Sequence, residues 1–248
     1  MKSIFSKITL AACALLGTAL PAQSTILVTL SDGVTSRTCD TRFAIVGLNC
    51  GTGFQVSADL KAVNFLGAVG QWHIGGAISG FAGFSNTPGL TNLAKLDAVN
   101  LDVQNNTGTG ATGSFSIRAT AFNFTFPSGP ALTLFGSASV NSSSTVAGSV
   151  ASAFYADPSN GVALLNPDSC NMIIGTNNSC NTGTPLAWSR GAGPFSITQI
   201  QNFTFGMNQT VNTTQSLEVR NRIPEPGTTL LVGAALLGLA LTSVHRKR

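Results

Sequence analysis

Short segments in which apolar and polar residues alternate fill the middle of the chain, between residues 25 and 222. The clearest lies within Ser114–Phe126, SFSIRATAFNFTF, where Phe122, Phe124 and Phe126 alternate with polar residues. A period of two is typical of a strand with one buried and one exposed face, so the three phenylalanines are predicted to share a face. Three further runs show the same alternation: ALTLFGSASV, TVAGSVASAFYA and FSITQIQNFTFGM.

Clusters of Gly, Ser, Asn and Pro separate these runs, and helix signals are scarce. The best helix candidate is short, TNLAKLDAV at Thr91–Val99. Many short strands between turn residues predict an all-β fold, an antiparallel β-sandwich with a jelly-roll-like layout. No charge run or Pro-rich linker divides the segment, so residues 25–217 are predicted to form one domain, followed by a linker at 218–223.

Charge is sparse and balanced within this domain. Only 9% of the 248 residues are charged, and the formal net charge of +4 comes from the two ends of the chain. Between residues 25 and 223 there are 8 basic and 8 acidic residues. Without a basic patch the chain lacks the electrostatic footprint of a nucleic-acid-binding protein, so we expect no nucleic-acid partner.

The first 24 residues, MKSIFSKITLAACALLGTALPAQS, have the layout of a secretory signal peptide. Lys2 and Lys7 precede an apolar run that ends at Leu20, and small residues follow Pro21. This order of basic, apolar and small residues directs export, with cleavage after Ser24 or after Ala22.

The last 25 residues, 224–248, combine three features. Pro224, Glu225 and Pro226 come first, and an uncharged segment follows, predicted to form a transmembrane helix at 228–244. The 19 uncharged residues from Gly227 to His245 would reach about 28 Å as a helix, close to the hydrocarbon thickness of a bilayer. The tail at 245–248 contains Arg246, Lys247 and Arg248, a basic cluster that stays on the cytoplasmic side.

This order resembles the PEP-CTERM sorting signal: Pro-Glu-Pro, one membrane span and a basic tail. The resemblance covers these 25 residues only. It implies that the source is a Gram-negative bacterium that makes exopolysaccharide, and that an exosortase-type enzyme recognises the tail. It also implies transient anchoring in the inner membrane and a final location at the cell surface or in the extracellular matrix. An anchor that is never processed fits the hydropathy equally well.

Four cysteines remain after removal of the leader: Cys39, Cys50, Cys170 and Cys180. An even number in an exported chain predicts two disulfides. Proximity favours Cys39–Cys50 and Cys170–Cys180, although spacing leaves the other two connectivities open. Closely spaced Cys-x-x-Cys pairs, which a zinc site would want, are absent from the sequence.

Few residues of the chain are candidates for catalysis, and no cofactor or metal is expected. The segment between residues 25 and 223 contains one histidine, His73, and one glutamate, Glu218, so a secreted hydrolase is the least favoured class. The main expectation is a non-enzymatic surface or matrix protein. The alternative is a carbohydrate-binding module for exopolysaccharide, in which Trp72, Trp188 and Tyr155 are the aromatic candidates for stacking on sugar rings.

Overall fold

A computed structural model gives the three-dimensional structure. It describes residues 25–43, 50–83, 93–106, 112–125, 127, 132–142, 147–165, 167–174, 178–185 and 193–221. None of these residues forms an α-helix. The predicted signal peptide, sorting motif, transmembrane helix and basic tail lie outside the described residues and remain predictions.

The described residues form thirteen strands. They are β1 (Thr25–Ser31), β2 (Ser36–Asp40), β3 (Phe54–Val56), β4 (Ala62–Val69), β5 (Trp72–Gly83), β6 (Leu93–Asn105), β7 (Gly113–Phe124), β8 (Leu132–Ser142), β9 (Gly148–Asp157), β10 (Asp168–Ile174), β11 (Asn178–Pro185), β12 (Phe195–Phe205) and β13 (Gln209–Asn221).

The strands pair into two antiparallel sheets, which confirms the predicted sandwich. Sheet A has six strands in the order β10-β9-β12-β7-β1-β2, and sheet B has seven in the order β11-β8-β13-β6-β5-β4-β3. From β6 to β9 every strand lies in the opposite sheet from the one before it, and the same is true from β10 to β13. Some sheet neighbours, such as β7 and β12 or β6 and β13, are therefore far apart in the sequence, whereas β3, β4, β5 and β6 pair in chain order.

The inner faces of the two sheets bury a continuous apolar core, as the period-two pattern requires. An aromatic cluster fills one part of it: the Trp72 ring stacks on Phe115 with centroids 5.4 Å apart and meets Phe205 edge-on at 5.1 Å. Side chains of this size stabilise a fold strongly, by about 1.5–3 kcal/mol for each fully buried one.

The alternation in β7 breaks at Asn123, whose φ is 65°. Phe124 lies in the core against Phe195, whereas Phe122 lies under the Arg42 guanidinium, which is 4.4 Å from its ring centroid. Phe122 is not a member of the core cluster that contains Phe124. The prediction that these two rings share a face is therefore wrong.

Two predicted boundaries are also corrected. The described part of the helix candidate, residues 93–99, begins β6, because Ala94, Leu96 and Ala98 face the core and pair with β5 on one side and β13 on the other. The predicted linker starts inside the last strand, since β13 continues to Asn221. Val219 is 1% exposed there.

Both favoured disulfides are present, Cys39–Cys50 and Cys170–Cys180. Cys170 lies in β10 and Cys180 in β11, the edge strands of sheets A and B on one side of the sandwich. On the other side Cys39 lies in edge strand β2, and Cys50 lies shortly before edge strand β3. Each disulfide thus joins the two sheets where they would otherwise separate.

Candidate functional site

The outer face of sheet B carries short polar side chains in register across four strands. Ser216 in β13 pairs with Ser137 in β8 and with Asp97 in β6, and Asn181 in β11 pairs with Ser137. The four side chains are half-buried or exposed. Because paired residues point to the same side of a sheet, they form one row across it, with strands about 4.8 Å apart.

A second row runs beside the first. Ser139 pairs with Ser179 and with Thr214, and the hydroxyl oxygens of Ser139 and Thr214 are 2.6 Å apart. Together the rows line two adjoining depressions of about 380 and 280 Å³ that share Ser137, Asn181 and Ser216. We call this surface the polar groove; its outward-facing side chains are Lys95, Asp97, Val99, Phe135, Ser137, Ser139, Ser179, Asn181, Thr214, Ser216, Glu218 and Arg220.

The charged side chains of the polar groove pair with one another. The Lys95 Nζ atom lies 2.9 Å from Asp97 and 3.7 Å from Glu218. Burial by itself lowers the pKa of the Lys95 amine, but the hydrogen bond to Asp97 and the charges of Asp97 and Glu218 outweigh burial and raise it. The amine is therefore fully protonated at neutral pH, and its charge is already balanced by its neighbours.

Among the described residues that line the groove, Phe135 provides the one aromatic ring. The Arg220 guanidinium lies over this ring, 5.1 Å from its centroid, and Arg220 Nε donates a hydrogen bond of 2.7 Å to Glu218. The two contacts hold Arg220 in place from both sides. Phe135 is half-buried and lies in one of the two depressions, and Val99 is an exposed apolar side chain in the other.

Part of the outer face of sheet A is covered, in contrast to this open surface. We call residues 158–165 the covering loop. Arg118 points outward from β7 and donates to the Val162 carbonyl, while the Ser196 hydroxyl donates to the Gly161 carbonyl at 2.6 Å. Asn160 and Asn123 exchange two hydrogen bonds of 2.8 Å. Sheet B is therefore the sheet with the extended accessible groove.

The structure places the three predicted stacking residues apart from the groove. Trp72 is 0% exposed and packs against Phe115, so the prediction that it stacks on a sugar is wrong: its apolar ring is used for the core. Tyr155 is half-buried on the outer face of sheet A, where it pairs with Thr198. Trp188 lies outside the described residues, as do Pro224, Glu225, Pro226, Arg246, Lys247 and Arg248.

His73 is exposed on sheet B in a separate shallow depression with Asp102 and Gln104. Within the described part of the chain it has no hydrogen-bonded carboxylate, and no three His, Cys, Asp or Glu side chains lie close enough to hold a metal ion. Over the same residues no helix is long and apolar enough to cross a membrane.

Sequence reasoning missed Phe135 and the serines beside it, although the signal is present in ALTLFGSASV. Leu134 and Ala138 are buried in the core, so the alternation turns Phe135, Ser137 and Ser139 outward. The residues predicted to stack on sugar rings were only Trp and Tyr, which left Phe135 out. The partners of Ser137 in β6, β11 and β13 follow from strand order, which the sequence pattern does not contain.

No protein-family model and no curated protein match this chain. Among solved structures it is similar to the carbohydrate-binding module TmCBM61 in complex with β-1,4-galactotriose, at 12% identity and a TM-score of 0.28 over 61% of this chain and 88% of that one. It is also similar to the C-terminal family 22 carbohydrate-binding module of Clostridium thermocellum Xyn10B, at 15% identity and a TM-score of 0.25 over 62% and 88%.

A third similar structure is an arabinose-bound α-L-arabinofuranosidase, MgGH51, at 15% identity and a TM-score of 0.25. That match covers 60% of this chain but 23% of the enzyme. Scores of this size carry no argument about function, which has to come from the residues of the groove.

Proposed function

We propose that this chain is an exported surface or matrix protein and that its polar groove binds polysaccharide. The observation that carries the proposal is the row Asn181, Ser137, Ser216 and Asp97, which presents amide, hydroxyl and carboxylate groups side by side on a rigid sheet.

The chemistry of the row matches that of a sugar chain. Each sugar hydroxyl is both a donor and an acceptor; serine and threonine hydroxyls have the same double capacity, amides offer both groups, and a carboxylate accepts strongly. The apolar C–H face of a sugar ring can pack on Phe135 as other apolar groups do. Side chains fixed by strand pairing lose little freedom when a ligand binds, which favours affinity.

A binding role is favoured over hydrolysis by the position of Lys95. A glycosidase needs an open gap between two carboxyl groups for the scissile bond and for water or a nucleophile. Asp97 and Glu218 are the carboxylates of the groove, and the Lys95 Nζ atom lies within 4 Å of both. The amine occupies the space that the sugar would need.

The proposal that the protein is exported is supported by the two disulfides, because disulfides persist in oxidising compartments. It also uses the resemblance of residues 224–248 to a PEP-CTERM sorting signal. We propose that an exosortase-type enzyme recognises this tail at the inner membrane before the protein reaches the surface.

The test is retention of the full-length chain, purified in detergent under oxidising conditions, on immobilised neutral glucan, mannan, galactan and the producing organism's exopolysaccharide. We expect retention on at least one of them. Ser216→Trp fills the groove and should abolish it. Phe135→Ala should weaken it about two- to twelvefold, because an aromatic contact contributes about 0.5–1.5 kcal/mol.

Matched control variants lie on the outer face of sheet A. Thr204→Trp also replaces an outward hydroxyl residue by tryptophan, and Ile173→Ala removes a side chain that is 69% exposed. Both should bind like the wild type. If no polysaccharide is retained, or if Ser216→Trp and Thr204→Trp bind equally, the groove is not the site. Release of reducing ends from a retained polysaccharide would contradict the binding role.

A further inference from the structure

The charges of the polar groove carry an inference about ligand class, which rests on the proposed function. Lys95 and Arg220 are the cations among the groove's side chains, and both are engaged from within the groove. Lys95 contacts Asp97 and Glu218, and Arg220 contacts Glu218 and the face of Phe135. Among the described residues of this surface, the two cations and the two carboxylates balance in charge.

An acidic polysaccharide needs a cation whose charge is not already balanced by neighbouring carboxylates. A uronate carboxylate binds best to a guanidinium or ammonium group with free N–H donors. A uronate that approaches the remaining N–H donors of Lys95 or Arg220 also meets the negative charges of Asp97 and Glu218, which repel it. The hydroxyls of a neutral sugar carry no charge and are not repelled, and Ser137, Ser139 and Ser216 offer them donors and acceptors directly.

We infer that the polar groove selects neutral over acidic polysaccharide, and that Glu218 sets this selectivity by holding Lys95 and Arg220. Glu218 lies between the two cations and contacts each of them. Its position in β13 fixes the distance, since Glu218 pairs with Lys95 across the strands.

The experiment compares matched ligands that differ only in charge. Neutral glucan, mannan and galactan are each tested beside a derivative in which the C6 hydroxyls are oxidised to carboxylates. For the full-length wild type we expect retention on a neutral polymer and at least about tenfold weaker retention on its carboxylated form, a difference of about 1.4 kcal/mol.

Glu218→Gln keeps the shape of the side chain and removes its charge. We expect retention on the carboxylated polymer to rise about tenfold and to become sensitive to salt, while retention on the neutral polymer changes less than threefold. The matched control is Asp40→Asn, which changes the net charge equally and releases Arg42 from its ion pair on sheet A. That variant should keep the wild-type preference.

The outcomes separate the two proposals. If the wild type binds neither form of any polymer, the proposed function fails. If it binds the carboxylated form as well as the neutral one, carbohydrate binding stands and the inference is wrong. The inference is also wrong if Glu218→Gln gives no gain, or if Asp40→Asn gives the same gain.

Discussion

Asp157 shows how a single side chain can hold a loop in place. It is 1% exposed, and its carboxylate accepts hydrogen bonds from the Ser159 amide at 2.8 Å and from the Ala163 amide at 3.1 Å. Burial by itself raises the pKa of Asp157, but the hydrogen bonds from Ser159 and the loop backbone outweigh it and lower the pKa. The ionised form is thus the one that organises the covering loop.

We predict that Asp157→Asn lowers the free energy of unfolding by about 2 kcal/mol at pH 7, because charge-assisted hydrogen bonds to a buried carboxylate are lost. A lowered native pKa stabilises the fold fully above the ordinary value of 3.8, and that contribution disappears as pH falls through the native pKa. The gap between wild type and variant should therefore shrink below pH 4 in denaturant titrations.

Ser159→Ala is the graded control for this prediction. It removes one hydroxyl donor to Asp157 and leaves the carboxylate charged, so it should cost less than Asp157→Asn and keep the pH dependence. Equal unfolding free energies for wild type and Asp157→Asn at pH 7 would contradict the assigned role.

At the scale of elements, the two disulfides act on opposite sides of the sandwich. The bonded cysteines are 11 and 10 residues apart in sequence, so each crosslink should contribute about 3 kcal/mol by restricting the unfolded chain. Edge strands otherwise expose unpaired backbone groups that can pair with another chain.

We predict that Cys170→Ala with Cys180→Ala, and separately Cys39→Ala with Cys50→Ala, each lower the free energy of unfolding by about 3 kcal/mol. Because the pairs share no partners, the losses should add within about 0.5 kcal/mol in the quadruple variant. Denaturant midpoints without reductant measure this. A quadruple variant as stable as either double variant would show that the two edges are coupled.

The elements also show which features the sequence predicts and which it does not. The sandwich follows from local alternation, and the disulfides follow from proximity in sequence. The first residues of β6 belong to the best helix candidate in the sequence, in which Leu93 and Leu96 are three residues apart as on one face of a helix. Pairing with β5 and β13 makes them a strand instead. The groove depends on the same distant pairing, since it joins Lys95 with Ser137, Asn181 and Ser216.

At the scale of the whole molecule, the folded domain and the two ends of the chain have to be interpreted from different kinds of evidence. A sorting signal is read as a short linear segment, so residues 224–248 can be interpreted without a fold. A polysaccharide site is a surface formed by several strands, so it can be identified only once the strand order is known. Trp72 illustrates the difference: its residue type suggested a ligand contact, and its place on the inner face of β5 makes it part of the core.

We predict that replacing Pro224, Glu225 and Pro226 by alanine keeps the protein in the inner-membrane fraction, because the span and basic tail remain while the processing motif is lost. Immunoblots of membrane, surface and medium fractions measure this. Thr228→Ala with Thr229→Ala is the neighbouring control and should leave delivery unchanged. Identical distribution of the triple variant and the wild type would mean that the tail is an ordinary anchor.

The position of β13 has a mechanical consequence. This last strand lies inside sheet B, paired along its length with β6 and with β8, and its end leads directly toward the tail. If the tail is held at the membrane and the groove binds a polymer, as proposed, a pull between the two would load β13. Antiparallel hydrogen bonds lie perpendicular to the strand, so such a load falls on many of them at once instead of opening them one by one. The strand that contributes Ser216 and Glu218 to the groove is thereby also the strand best placed to carry tension.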